Sequence, residues 1–323
     1  MRYLSRRLLH AVLLLGAVSF FSFALLQMAP GDFFDSMRLN PQISSLTVND
    51  FRAQYGLDRP LPVRYERWLV SVFKGQFGLS LTYGTPVAPL LWVRARNTLL
   101  LTVTATLLAW LLALPLGIFS AANKGTWCDR LGGMATSTLL TVPDLLLFLG
   151  LLLLAVRTGW FPTGGMVSSG SSDLSRWAQA KDIAAHLFLP ALGLALVILP
   201  PLVRHIRSAM IEVLDSSFIR SARAHGIPTQ RVLFCYALPV AANPLISLLG
   251  FSIGSMLSAS VLVEVVLSWP GLGPLLVEAI LARDTYVIVG IAMLGSVFLV
   301  AGNLIADLLL FANDPRIRDG VNA

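Results

Sequence analysis

The residues of this chain best placed to act on another molecule are Ser221-Ala222-Arg223-Ala224-His225-Gly226, followed after nine residues by Tyr236-Ala237-Leu238-Pro239. Their chemistry is recognition, not bond-making. Asp215, Ser216 or Ser217 can cap the N-terminus of a helix, because their side-chain oxygens accept its free N–H groups. Gly226 can take the left-handed conformation that ends a helix, and Pro228 prevents continuation. Ser217, Phe218, Ile219 and Arg220 complete the segment, which predicts a basic, Ala-rich helix of about two turns. A rod so short, with small side chains, fits a groove and moves as a unit. On the cytoplasmic face of a membrane protein it predicts contact with a soluble partner.

Bond-making chemistry has little to draw on. The sequence contains no Gly-x-x-x-x-Gly-Lys-Ser/Thr loop to cradle phosphates, so ATP binding by this chain is not expected. His-Glu-x-x-His and Gly-x-Ser-x-Gly elements are also missing. His10, His186, His205 and His225 are scattered beside apolar spans and read as interfacial polar residues, not ligands or bases. Cys128 and Cys235 show no ligand pattern and fall in segments assigned to the cytoplasm, where a disulfide is not expected. No catalytic residue, no metal and no cofactor held by this chain is therefore anticipated.

The elements that must carry the 221–226 segment are membrane helices. Of 323 residues, 56% are hydrophobic and only 13% charged, about half the charge of a soluble domain. The net charge of +7 could suggest nucleic acid. The basic residues are instead divided among short loops, as in the cytoplasmic loops of membrane proteins, so a nucleic-acid partner is not expected. Six segments approach the roughly 20 apolar residues that a spanning helix needs. They are 8–28, 97–121, 132–156, 187–203, 241–263 and 286–311. The first has a basic head but is too long for a cleaved signal and lacks a small-x-small exit, so it reads as an uncleaved span. The fourth is short and holds Pro190, Pro200 and Pro201.

Orientation follows from the flanks. Lys124 and Arg130 lie between the second and third spans. Arg204, Arg207, Arg220, Arg223 and Arg231 lie between the fourth and fifth, and Arg316 and Arg318 in the tail. With three N-terminal arginines these place both termini in the cytoplasm. Arg94 and Arg96 break the pattern just outside the second span. The division expected is a first helix over 1–29, a long periplasmic loop over 30–96, a core of five spans over 97–312 and a tail over 313–323. In the long loop, Tyr65, Trp68, Leu69, Val72 and Phe73 recur at helical spacing, with Arg64, Arg67, Ser71 and Lys74 mostly opposite. This helix lies either at the membrane interface or against the other outer loops. The second outer loop, 157–186, is rich in Gly and Ser and reads as a flexible connection.

The resemblance enters with the motif. The chain resembles the permeases of binding-protein-dependent ABC importers, whose cytoplasmic motif is Glu-Ala-Ala, three residues, Gly, nine residues, Ile, one residue, Leu-Pro. Gly226, Tyr236, Leu238 and Pro239 occupy the later positions. Arg220-Ser221-Ala222 lacks the Glu and the first Ala. Tyr55-Gly56-Leu57-Asp58-Arg59-Pro60-Leu61-Pro62, Gly75-Gln76-Phe77-Gly78-Leu79-Ser80, Trp160-Phe161-Pro162 and Ser268-Trp269-Pro270-Gly271-Leu272-Gly273 are similar to the oligopeptide, dipeptide and nickel group. The resemblance implies an all-α polytopic protein with six transmembrane helices, type I ABC importer permease-like, in a bacterial cytoplasmic membrane. It further implies a short cytoplasmic coupling helix that docks on an ATPase. Its implied partners are a second permease, two ATPase subunits that bind ATP and Mg, and an extracytoplasmic binding protein. The cargo implied is a peptide or, alternatively, nickel or another small solute.

Charges inside the spans set further expectations. Asp144, after Pro143, falls near the middle of the third span, where a carboxylate is costly unless it faces a partner or water. It either lines the path and favours a cationic group such as a peptide amine, or bonds to the paired permease. Asp307 reads as an anchor or inter-subunit contact, and Glu264 as a solvated group. Trp269, Pro270 and Gly271 form either an outer gate or a packing turn. A proton-coupled secondary transporter, with Asp144 and Asp307 as relays, is the rival reading; the lack of a detectable internal repeat counts against it. A membrane-embedded enzyme lacks a recognisable catalytic set.

Overall fold

The computed structural model describes residues 2–28, 31, 33–34, 45–54, 56, 58–170 and 175–313. Of the segments singled out in the sequence, Tyr55, Leu57, Arg316 and Arg318 lie outside the described residues. The chain is helical. In order it forms α1 (Arg2–Met28), α2 (Ser45–Gln54), α3 (Leu61–Phe73), α4 (Val87–Ala122), α5 (Trp127–Thr141), α6 (Asp144–Thr158), α7 (Arg176–Leu214) and α8 (Ser217–Ala224). A turn at Thr229–Arg231 and a π-helical stretch at Val232–Ala237 lead into α9 (Leu238–Val266), then α10 (Leu272–Ala282) and α11 (Thr285–Asn313). Among the described residues the sole β feature is an isolated bridge between Leu79 and Pro86. Five helices among the described residues are long and apolar enough to cross a membrane, and six if α5 and α6 form one broken span.

Two compact units divide the chain: Met1–Asn97 with Pro270–Val297, and Thr98–Trp269 with Phe298–Ala323. In the first, the apolar stripe of α3 is covered by protein from Tyr65 to Val72, while Phe73 at its end is exposed. Trp68 is buried with Phe23 of α1 and Val289 of α11. Tyr65 stands edge-on to Phe23 at 5.7 Å and meets Ser19 Oγ at 2.9 Å. Burial of this face supports packing over an interfacial float, although the cover is α1 and α11 and not the outer loops. Arg64, expected on the polar face, is buried with its guanidinium 5.8 Å from the Phe23 ring. A long side chain can lay its stem along an aromatic surface in this way. The following loop is stapled down. Ser80 Oγ and Thr82 N–H both donate to the buried Asp284 carboxylate, at 2.6 and 3.0 Å. Tyr83 donates to Glu278, and that hydrogen bond, aided by burial, raises the phenol pKa.

In the second unit α7 is the central helix and touches α5, α6, α8 and α9. Its length corrects the sequence expectation at both ends. The fourth span is not a short 187–203 segment; helix runs from Arg176 to Leu214 straight through all three prolines. Packed membrane helices tolerate proline because neighbours support the freed backbone groups. Residues 176–186 are thereby removed from the supposed flexible loop, and Ser168 is tied to Asp182 through both its N–H and its hydroxyl, at 2.7 and 2.6 Å. The second span likewise starts at Val87, so Arg94 and Arg96 are helical residues.

The third span departs most from expectation. It is two helices meeting at 97°. The break falls at Val142 and Pro143, where the chain is extended. Proline there supplies no N–H and disfavours helix in the residue before it. Asp144 therefore opens α6 instead of sitting mid-helix, and its carboxylate is exposed at the helix N-terminus, where the macrodipole favours negative charge. Glu264 is corrected too. It is fully buried, accepting a 2.7 Å hydrogen bond from Thr98 Oγ1, and is not solvated.

Candidate functional site: the α8 strut

α8 is the eight-residue helix that the 217–224 spacing foretells. Ile219 and Ala222, three apart, form its inner face and are buried. Phe218, Arg220, Ser221, Arg223, Ala224 and His225 face outward. Ile219 joins the core that holds Val232, Leu233 and Ala237 of the returning π-helical stretch and Leu214 of α7. The strut is thus riveted by one side on two segments and bare on the other.

Its ends are fixed by backbone chemistry. Ser216 occupies the capping position, but its hydroxyl turns back and donates to Val213 O at 2.5 Å. Asp215, another cap candidate, instead closes the end of α7 and accepts from Lys124 Nζ at 2.9 Å. Only those two residues separate α7 from α8. At the other end Gly226 has φ +77°, Gly226 N–H donates to Arg223 O at 3.0 Å and Ile227 N–H to Ala222 O at 3.3 Å. These two bonds and the left-handed glycine make a Schellman stop. Ile227 packs on the core, as that motif prefers.

Tyr236, Leu238 and Pro239 lie where the π-helical stretch becomes α9. Leu238 N–H reaches back five residues to Leu233 O. Pro239, which has no N–H, follows at the start of α9, so the widened turn falls where the ladder already lacks a donor. The Thr229–Arg231 turn and the π-helical stretch therefore continue directly into the span.

Other residues singled out in the sequence lie apart from α8. Trp269 is fully buried in the core of the second unit, its N–H on Glu264 O at 2.8 Å. Burial favours the packing reading for that ring. In the first unit Pro270 O accepts from Asn97 Nδ2 at 2.8 Å, and Gly271 is buried. Asp307 is half-buried.

Sequence reasoning missed two features. An apolar cavity of about 220 Å³ lies between α7 and α9, lined by residues including Leu194, Ile198, Pro201, Leu248, Ser252 and Ala259. At Pro201 and His205 it adjoins a more polar recess with Arg204, Arg207 and Ser208. No spacing rule foretells a cavity between two distant helices. The other is an ion pair at 2.7 Å between the buried Asp129 carboxylate and the partly exposed Arg207. A Thr126-x-x-Asp129 helix start was its one visible signal.

With five or six helices apolar enough to cross a membrane among the described residues and a short polar helix between two of them, the chain has the architecture of a multi-pass membrane protein. The comparisons say which. Residues 113–319 match the family described as binding-protein-dependent transport system inner membrane component, and residues 1–107 match the N-terminal region of the same systems' membrane component. The chain belongs to this family of ABC transport permeases. It is 39% identical over 320 residues, 98% of each chain, to the oligopeptide transport system permease protein AppB of Bacillus subtilis. The probable D,D-dipeptide transport system permease protein DdpB of Escherichia coli is 36% identical over 96% of this chain and 95% of its own. The glutathione transport system permease protein GsiC of Salmonella paratyphi A is 33% identical over 98% and 99%. Among solved structures, the inward-facing MetNI methionine ABC transporter superposes with TM-score 0.57 at 17% identity, over 70% of this chain and 96% of that one. That likeness is one of fold.

Proposed function

We propose that this chain is one of two permeases lining the path of a peptide importer, and that two cytoplasmic ATPases drive it by pushing on α8. The observation that carries this reading is the build of α8. It is rigidly stopped at Gly226, anchored inward by Ile219 and Ala222, and presents Phe218, Arg220 and Arg223 outward. An exposed aromatic flanked by arginines is the composition of an interface hot spot. Relatives named for oligopeptide and dipeptide transport support a peptide cargo. ATP and Mg belong to the ATPases, and a binding protein outside delivers the peptide. Basic residues around 124–130 and 204–231 favour the cytoplasm for α8 and for both termini. The α7–α9 cavity forms part of the wall this chain lends to the path, and Asp144, exposed at the start of α6, favours cationic cargo.

The test is co-purification. Expressed with its neighbouring transport subunits and extracted in mild detergent, the chain retains both ATPases, and Phe218→Asp loses them while the second permease stays. Retention of the ATPases by Phe218→Asp, or peptide uptake by the chain alone in liposomes, refutes the reading.

A further inference from the structure

The Asp129–Arg207 pair has a geometry that the docking of α8 does not require. Asp129 is the third residue of α5 and is 8% exposed. Its Oδ1 accepts from Ser120 Oγ at 2.5 Å and from Arg207 Nε at 2.7 Å. Its Oδ2 accepts from Arg207 Nη2 at 2.7 Å and from Gly125 N–H at 2.9 Å. One carboxylate thus receives four donors from α4, the connecting turn and α7. Fork-to-carboxylate pairing fixes orientation as well as distance.

The helices are brought together for it. Gly117 of α4 lies so close to Ile206 of α7 that a Cβ there would sit 2.6 Å from Ile206 Cγ2. Ser120 is one turn further along α4, and Arg207 is the neighbour of Ile206. Arg207 sits two turns before the end of α7, and α8 begins three residues beyond that end. Displacement of α8 therefore reaches Arg207 along a continuous helix, and the fork passes it to α5 and α4. The Arg207 side chain keeps 35% of its surface exposed, but the carboxylate it clamps is buried, and removing the partner of a buried charge is costly. Such a pair is suited to holding one geometry.

Resting on the importer reading above, we infer that Asp129 and Arg207 form the joint that transmits α8 movement from α7 to α4 and α5: they are positioning residues that set how much transport each ATP yields. Lys124 with Asp215 joins the α4–α5 turn to the cap of α7, but both side chains are more than half exposed, at 53% and 64%. Such a surface pair contributes little.

The experiment uses the whole transporter in proteoliposomes with its binding protein and a peptide that the parent complex imports, and reads peptide taken up and ATP hydrolysed together. Asp129→Asn removes the charge; Arg207→Lys keeps the charge and removes the fork. Both variants are expected to keep the ATPases and hydrolyse ATP, with uptake per ATP lowered about tenfold, a usual size for coupling between sites. Lys124→Gln is expected to leave the ratio unchanged. Uptake and hydrolysis falling in proportion, an unchanged ratio, or failure of both variants to assemble assigns the pair to the fold alone and overturns the inference. A parent complex without ATPases or ATP-driven uptake refutes the importer reading instead.

Discussion

On the docking face proposed for α8, Phe218 is the side chain expected to contribute most to binding. It is 44% exposed in the chain alone, although a phenylalanine is strongly favoured inside. Truncating an aromatic anchor at an interface costs about 2 kcal/mol or more, roughly thirtyfold in affinity. Phe218→Ala is expected to weaken binding of the ATPases by that amount in a detergent binding assay, with the melting temperature of the chain unchanged. Gly226 acts on stability instead. Its φ of +77° strains any residue with a Cβ, at roughly 1 kcal/mol. Gly226→Ala is expected to lower thermal stability by that order in a melting measurement. At this scale the sequence was partly legible. The glycine stop follows from spacing and residue type, whereas the burial of Ile219 and Ala222 is set by the core the helix meets. Of the Glu-Ala-Ala positions, the alanine retained, Ala222, is the buried one, while Arg220 and Ser221 are exposed. The burial of Glu264 and the salt bridge of Asp129 depend on residues far away in sequence, and no local pattern encodes them.

Among the elements, α9 and α11 meet through small residues. A Cβ on Gly250 would lie 2.6 Å from Ala306 Cβ, and one on Gly302 would lie 2.7 Å from Ile253 Cγ2. Membrane helices associate by close packing of this kind, since lipid gives no hydrophobic drive between them. Gly302→Val is expected to cost about 1–3 kcal/mol through overpacking, read as earlier thermal unfolding. α7 and α9 define the cavity, and Ala259→Trp fills it. That variant is expected to retain the ATPases and lose peptide uptake; uptake at the parent rate would remove the cavity from the path. Helix existence was legible from apolar runs of about 20 residues. Helix extent was not, because Pro190, Pro200 and Pro201 suggested interruption where tertiary support permits continuity. Pro143 did mark a real break, yet its 97° angle depends on what each half packs against.

For the whole molecule, composition and hydropathy sufficed to fix a polytopic helical protein, and the motif spacing pointed to the permease family. What they could not convey is the mechanical linkage. α8 follows α7 after two residues, α7 traverses the second unit, and Arg207 joins α7 to α4 and α5. On the importer reading, a molecule so connected is expected to turn a push on one short helix into a rigid-body change of packed helices. Asp144, exposed at the start of α6, is expected to tune which cargo benefits. Asp144→Asn should lower uptake of cationic peptides while sparing neutral ones in a competition assay, and equal loss or retention for both classes would remove it from selectivity. The most direct test of the central claim is ATP-dependent peptide uptake by proteoliposomes containing the complete transporter, compared between the parent chain and Phe218→Asp. The expected result is uptake that requires ATP in the parent and is absent in the variant although both permeases are present. Undiminished ATP-driven uptake by the variant would contradict the claim that α8 is where the energy enters.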